Sequence, residues 1–426
     1  MSSETSAENA HSLPRSNLHV LTLTPFYPTA EDDANGCFVA EPLASLAKLG
    51  VQNSVFVVTP FYRALDLPHA GAPAASSTRY PAWPGGTGLA SAGAFLFAVL
   101  LGRIRKLHAR TPIDVIHAHG PLPAGHAAML LGQELKVPFV VTVHGLDAYA
   151  DRQVSGRAGR WSRNLSGKVF QAADRVLCVS ERVRERVLAG AASAKAAVVY
   201  NGADPERFAP ACGSKNVAAS REKPRAAGDQ SGEASDAASW PAKTNSAAKI
   251  VSIGNLIPTK GHEQLLRALA ALTPTHPEII CEIVGNGPLR SKLESRVQEL
   301  GIGSRVRFLG RKSRQEVADL LRSATLFVLP SSYEGLGCVY LEAMASEVVA
   351  IGCRGQGIEE IIRHGHNGWL VAPNDVEELT RGMASLLEHG SLRSYIAAQG
   401  RDTVLHEYTI QDQARRLVRT YEECAR

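Results

Sequence analysis

Two series of short apolar runs, each alternating with helical stretches, limit this chain to folds built on parallel sheets. In the first series "LHVLTL" (18–23), "SVFVVT" (54–59), "DVIHAH" (114–119), "PFVVTVHG" (138–145), "RVLCVS" (175–180) and "AAVVYNG" (196–202) read as strands. In the second, "KIVSIGN" (249–255), "EIICEIVGNGP" (278–288), "RVRFLG" (305–310), "ATLFVLP" (324–330) and "VVAIGC" (348–353) do so, with helical stretches such as 263–272 and 313–324 between them. Runs that stay apolar along their length suit strands covered on both faces, so each series predicts a doubly wound α/β layer. Between the series lies 211–247, rich in Ala, Ser, Gly and charge, with Trp240 its single aromatic and no apolar periodicity. That composition predicts an insert with no core of its own. The expected organisation is a disordered polar N-terminus over 1–16, a first domain over 17–210, an insert over 211–248 and a second domain over 249–407. A helical stretch, 408–426, closes the chain.

At 426 residues, 45% hydrophobic and 20% charged, the chain has material for two cores of a globular protein. A formal charge of +5 suits anionic ligands or a membrane surface and requires neither. Seven scattered cysteines form no C-x-x-C pair, which argues against a disulfide framework or zinc site and for a reducing compartment. The first residues, "MSSETSAENAHSLPRSN", have no apolar core for a signal peptide, so a cytoplasmic location is expected. The most apolar helical stretch, 89–101, falls short of the roughly 20 residues a spanning helix needs. Arg103, Arg105 and Lys106 follow at once. It reads either as a core helix or as a helix on the inner membrane face, with its basic end on anionic head groups.

The most chemically specific segment is "LFVLPSSYEGLGCVYLEAMA", 326–345. A buried strand runs through a glycine-bearing loop into a helix. Such a unit aims unsatisfied N–H groups and a positive dipole end at an anion. Glu334 in the loop and Glu342 on the helix put a carboxylate on either side. A phosphate held by amides, flanked by acceptors for hydroxyl hydrogens, suits a sugar nucleotide.

This segment resembles the signature of retaining glycosyltransferases of family four, a Glu, seven residues and a second Glu, ending in Glu-Ala-Met-Ala. Similarity to that family extends over nearly all the chain outside the N-terminus and the insert. It implies the GT-B fold, two Rossmann-like domains facing each other across a cleft, with the terminal helix crossing back onto the first domain. By the same resemblance Glu342 accepts from ribose hydroxyls and Glu334 from hydroxyls of the transferred sugar. The amides of Gly335, Leu336, Gly337 and Cys338 would cradle the diphosphate.

Lys260, in "GNLIPTKGH" (254–262), is the matching phosphate contact. This is no Walker A loop, because Thr259 stands where the glycine before the lysine is required. Asn255 occupies a position at which the family carries an arginine. "VGNGP" (284–288) would bring Gly285 to the nucleotide, and the backbone near Gly310 and Lys312 would read the base. Neither domain has a D-x-D motif to hold a metal on the diphosphate, so the resemblance implies no cofactor and no metal.

In the first domain Gly36, after Asn35, matches a loop that lies near the phosphates, with a plain surface turn as the other reading. "TVHGLDAYA" (142–150) matches the family's His-Gly-x-Asp. His144 would then sit at the reaction centre, and Asp147 would orient the loop or bind acceptor. His117 and His119 lie two apart on a strand and face one way. With no third ligand evident, a structural or acceptor-side role is expected for them. Ser180 or Glu181 would border the acceptor, and Asn201-Gly202 reads as a turn. Glu347 and Val349 stand where the family carries a glycine and a proline.

The expected activity is a metal-independent retaining hexosyltransferase, moving a sugar from a nucleotide-sugar, a UDP-sugar, to a glycan or lipid-linked acceptor in surface polysaccharide synthesis. No nucleic acid partner is expected. Two alternatives stay open: a catalytically impaired nucleotide-sugar-binding protein, and a sugar-nucleotide epimerase on the same fold. A nicotinamide-dependent dehydrogenase lacks its G-x-G-x-x-G at the first helix.

Overall fold

The computed structural model describes residues 17–63, 69–86, 88–149, 154, 156–211 and 248–426. The N-terminus over 1–16 and the insert from 212 to 247 lie outside the described residues.

The first sheet holds seven strands: β1 (His19–Thr24), β2 (Gln52–Pro60), β3 (Ala75–Tyr80), β4 (Val115–His119), β5 (Phe139–Val143), β6 (Arg175–Cys178) and β7 (Ala196–Val198). They pair in parallel in the order β3-β2-β1-β4-β5-β6-β7. Every residue of β1, β4 and β5 is buried, as expected of strands covered on both faces. Neighbouring residues serve opposite cores. Leu21, Ile116 and Val141 pack under α2 (Leu89–Arg110), α3 (His126–Leu135), α4 (Gly156–Ala172) and α5 (Glu181–Gly190). Val20, Val115 and Val140 pack under α1 (Cys37–Lys48).

The second sheet orders six parallel strands β10-β9-β8-β11-β12-β13. These are β8 (Lys249–Ile253), β9 (Ile280–Val284), β10 (Val306–Gly310), β11 (Leu326–Val328), β12 (Val349–Cys353) and β13 (Trp369–Val371). Its helices are α6 (His262–Leu272), α7 (Arg290–Glu299), α8 (Arg314–Ser323), α9 (Cys338–Ala345), α10 (Val376–Glu388) and α11 (Gly390–Glu407). The last helix, α12 (Ile410–Ala425), starts at a capping box between Thr409 and Asp412. It returns to the first sheet, where Ala414, Leu417, Val418 and Tyr421 join the core beneath α1.

Strand order reverses direction between β1 and β4 in one sheet and between β8 and β11 in the other. At such switch points the loops leaving the strand ends part and open a crevice for ligand. The loops after β8 and β11 carry Lys260 and Glu334, and those after β1 and β4 carry Gly36 and the residues following His119.

Glu347 occupies a backbone position made for glycine. α9 ends in a Schellman motif: the Val348 amide donates to the Ala343 carbonyl and the Glu347 amide to that of Met344, both at 3.0 Å. The motif puts its penultimate residue in the left-handed region, and Glu347 sits there at φ 59°. For an L-residue with a Cβ this costs about 1–2 kcal/mol. Attraction to Arg401 offsets part of it. Glu347→Gly is therefore expected to raise stability by about 1 kcal/mol with turnover unchanged, measured by urea unfolding. Val349, at the family's proline position, is the buried first residue of β12.

Candidate active site

The two domains meet around a cleft of about 380 Å³. The β8 loop brings Asn255 and Lys260 to it, and the β9 loop brings Gly285. The β11 loop and the start of α9 bring Glu334, Leu336, Gly337, Cys338 and Glu342. Across from them stand Gly36 and His144 of the first domain. Gly310 and Gly335 do not line the cleft but build its wall. The Gly310 carbonyl accepts from the Gly285 amide at 2.8 Å. The Gly335 carbonyl accepts from the Ser180 hydroxyl at 2.6 Å. Lys312 does line it, with its ammonium 2.7 Å from Glu316.

Close backbone approach makes this arrangement possible at two glycines. A Cβ on Gly261 would overlap the Pro330 carbonyl, so only glycine lets the Lys260 loop lie against the strand end that leads to Glu334. A Cβ on Gly335 would overlap the carbonyl of His144, so the two signature loops touch across the domains only because residue 335 has none.

Lys260 and Glu334 form an ion pair, mostly buried on both sides. The first amides of α9 complete the polar wall. Among the described residues none accepts from the amides of Gly335, Leu336, Gly337 or Cys338. Helix geometry leaves the first-turn donors without intrahelical partners, and the dipole adds positive potential there. The wall therefore presents an ammonium and free N–H groups to whatever enters.

Glu342 is held rather than loose. Its Oε1 lies 2.8 Å from Nη2 of Arg314, a residue that the sequence reading passed over. The same guanidinium reaches Glu41 of α1 through Nε at 2.9 Å and Nη2 at 3.2 Å, and its Cζ lies 4.9 Å over the Phe208 ring. The Arg314 amide donates to Asp33 at 3.0 Å. Burial works against the Arg314 charge, but Glu342, Cys37 and Glu41 outweigh it and hold its pKa well above the ordinary guanidinium value. One buried arginine thus ties a cleft carboxylate to the opposite domain. Arg311 and Asp32, 3.3 Å apart, span the same gap.

Behind the cleft three histidine rings line up. His119 Nδ1 lies 3.0 Å from His144 Nε2, with the rings stacked at 14°. The His117 ring lies 4.5 Å from that of His119, centroid to centroid, and bonds the Tyr421 hydroxyl and Thr142 at 2.7 and 2.6 Å. Burial depresses all three: His144 and His117 to about 3, and His119 well below the ordinary range. They are neutral at pH 7, and Nδ1 of His144 has no partner. Asp147 lies off the cleft and accepts from the His144 amide at 3.0 Å, which fixes the loop. Burial raises its carboxyl to about 6 against the hydrogen bonds it accepts.

Ser180 and Glu181, expected to border the acceptor, make contacts between the domains. Ser180 binds the Gly335 carbonyl, and the Glu181 amide donates to Glu360 at 2.7 Å. A serine cap at a helix start offers one hydroxyl and free amides, and here the other domain takes both. Among the described residues no group of three or more His, Cys, Asp or Glu side chains is placed to hold a metal ion.

Two family models match this chain. "Glycosyl transferases group 1" covers residues 237–403 and "Glycosyltransferase Family 4" covers 38–207. The D-inositol 3-phosphate glycosyltransferase 2 of Catenulispora acidiphila is 30% identical over 69% of this chain and 67% of its own. The chain belongs to the group 1 glycosyltransferases. Among solved structures, the sucrose-phosphate synthase of Thermosynechococcus elongatus superposes with a TM-score of 0.73 at 20% identity, over 95% of this chain and 98% of that one. Anabaena HepE in complex with UDP-glucose gives 0.66 at 18% identity, over 95% and 100%. The fold of this group 1 glycosyltransferase is therefore GT-B. Its cleft is where the domains of that fold face each other.

Proposed function

We propose that this chain is a metal-independent retaining hexosyltransferase, using a UDP-sugar and a glycan or lipid-linked acceptor hydroxyl in surface polysaccharide synthesis. The observation that carries the reading is the Lys260–Glu334 pair beside the free amides of α9. HepE, which has the same fold, holds UDP-glucose.

In this reading the donor diphosphate replaces Glu334 as the anion on Lys260. Glu334, released, accepts from hydroxyls of the transferred sugar. Glu342, fixed by Arg314, accepts from the ribose. As the bond from sugar carbon to phosphate oxygen breaks, negative charge grows on the diphosphate, where Lys260 and the amides already point. The sugar carbon becomes oxocarbenium-like. The departing phosphate oxygen takes the acceptor's hydroxyl proton on the same face, and the acceptor oxygen bonds the carbon, so configuration is retained. Neutral His144 offers a hydrogen bond without adding a cation beside that carbon.

Calorimetric titration with UDP, ADP, GDP and their glucose or N-acetylglucosamine conjugates, with and without EDTA, tests this. One uridine ligand is expected to bind, with affinity unchanged by EDTA. Binding that EDTA abolishes would overturn the metal-independent donor site. Binding without turnover on any acceptor would favour the impaired binding protein.

A further inference from the structure

The apolar stretch that begins at residue 89 has an outward face that the cleft chemistry leaves unused. Among the described residues, six of the seven large hydrophobic side chains exposed to solvent belong to the first domain: Phe61, Tyr62, Trp83, Phe95, Val99 and Trp161. Trp83 is 68% exposed and Trp161 53%. Phe61 and Tyr62 follow β2, and Trp83 follows β3, at the strand ends that face the cleft. Phe95 and Val99 lie in the first half of α2, and Trp161 in the first half of α4. α2 and α4 touch each other on one face of the sheet. Each begins at the same strand-end edge, α2 after β3 and α4 after β5. The exposed aromatics therefore gather towards the rim of the first domain's half of the cleft, the half opposite the donor wall.

Charge follows the same helices. Neither α2 nor α4 contains an aspartate or glutamate, and between them they carry Arg103, Arg105, Lys106, Arg110, Arg157, Arg160, Arg163 and Lys168. Arg103 turns inward to Thr78 and Phe56, and Arg105 pairs with Glu134 of α3. Lys106, Arg110, Arg157, Arg160 and Lys168 are exposed. On α2 the exposed positions Phe95, Ala98, Val99, Gly102, Lys106 and Ala109 follow helical spacing, apolar first and basic later.

We infer that this face docks the enzyme on an anionic lipid bilayer, with Trp83, Phe95 and Trp161 in the head-group layer and the exposed basic residues Lys106, Arg157 and Arg160 on the phosphates. Tryptophan at the polar boundary and basic residues on anionic head groups are the two elements such a surface uses. No helix among the described residues is long and apolar enough to cross a membrane, so the contact lies on the surface. A second copy of the chain fits poorly. A two-fold contact would set this all-basic patch against itself. The inference rests on the acceptor reading above, because it holds the acceptor side of the cleft against the lipid layer in which a lipid-linked acceptor lies.

The test is vesicle sedimentation of the full chain with phosphatidylglycerol–phosphatidylethanolamine vesicles and with pure phosphatidylcholine. Binding is expected to the anionic vesicles alone and to weaken with salt. W83S/F95S/W161S and, separately, R157E/R160E are each expected to lower partitioning about tenfold or more. UDP affinity measured by calorimetry is expected to stay unchanged in both. R157E/R160E alters only exposed side chains, so it keeps the test open if the aromatic variant folds poorly. Absence of binding to anionic vesicles, equal binding to neutral ones, or wild-type partitioning in R157E/R160E overturns the inference. So does a concentration-dependent dimer that both variants abolish. Because UDP binding is read on the same samples, failure on vesicles with UDP binding intact counts against the docking face alone. Loss of UDP binding in the wild type counts against the donor site.

Discussion

Lys260→Ala is expected to lower turnover of the nucleotide-sugar about 100- to 1,000-fold, the range for removing one preorganised donor to a developing negative charge. The lysine is paired with a carboxylate, which gives the prediction its second half. Glu334 and an incoming diphosphate are rivals for the same ammonium. Glu334→Gln removes the rival without removing the lysine. UDP is therefore expected to bind equally well or up to about fivefold more tightly, an effect of up to roughly 1 kcal/mol, because the diphosphate no longer has to displace a carboxylate. Turnover is expected to fall, because glutamine accepts hydroxyl hydrogens more weakly than a carboxylate does. Calorimetry with UDP and single-turnover kinetics with the UDP-sugar separate the two effects. A Glu334→Gln variant that binds UDP more weakly, or Lys260→Ala with wild-type turnover, would sink the donor arrangement.

The parts of this site that the sequence made readable are those that lie within one strand–loop–helix unit. Gly335, Leu336, Gly337 and Cys338 are consecutive, so one local pattern announces both the loop and the helix start. His117 and His119 were legible as a pair on one face because strand period is two, and their rings do lie side by side, 4.5 Å apart and tilted by 32°. β1, β4 and β5 were legible because a strand buried on both faces carries apolar residues on both and shows no polar face. β3 was not, since "ASSTRY" is a polar edge strand with only Thr78 and Tyr80 buried. β13 is three residues long, too short to show a period. Least legible of all was the tie around Arg314. Its partner Glu41 lies 273 positions away in the other domain, and no local spacing can encode that contact.

That tie sets the second large effect. Arg314 is 8% exposed and serves two carboxylates, of which Glu342 is itself 3% exposed. Removing one member of a buried charge group leaves the rest uncompensated, at about 3–5 kcal/mol. Arg314→Met keeps the apolar stem over Phe208 and deletes only the charge. It is expected to lose about 3–5 kcal/mol in urea unfolding, less whatever the chain recovers by opening the cleft. The recovery is itself a test. Adding Glu342→Gln removes the stranded charge, so the double variant is expected to regain most of the lost stability. It is not expected to regain UDP affinity, because glutamine accepts from the ribose hydroxyls more weakly than the carboxylate it replaces. Parallel recovery of both would mean that Glu342 serves only the fold. A loss below about 1 kcal/mol in Arg314→Met would place the group in the class of surface pairs, and the domains would then be held together by the contacts of Gly335, Ser180 and Glu360 instead.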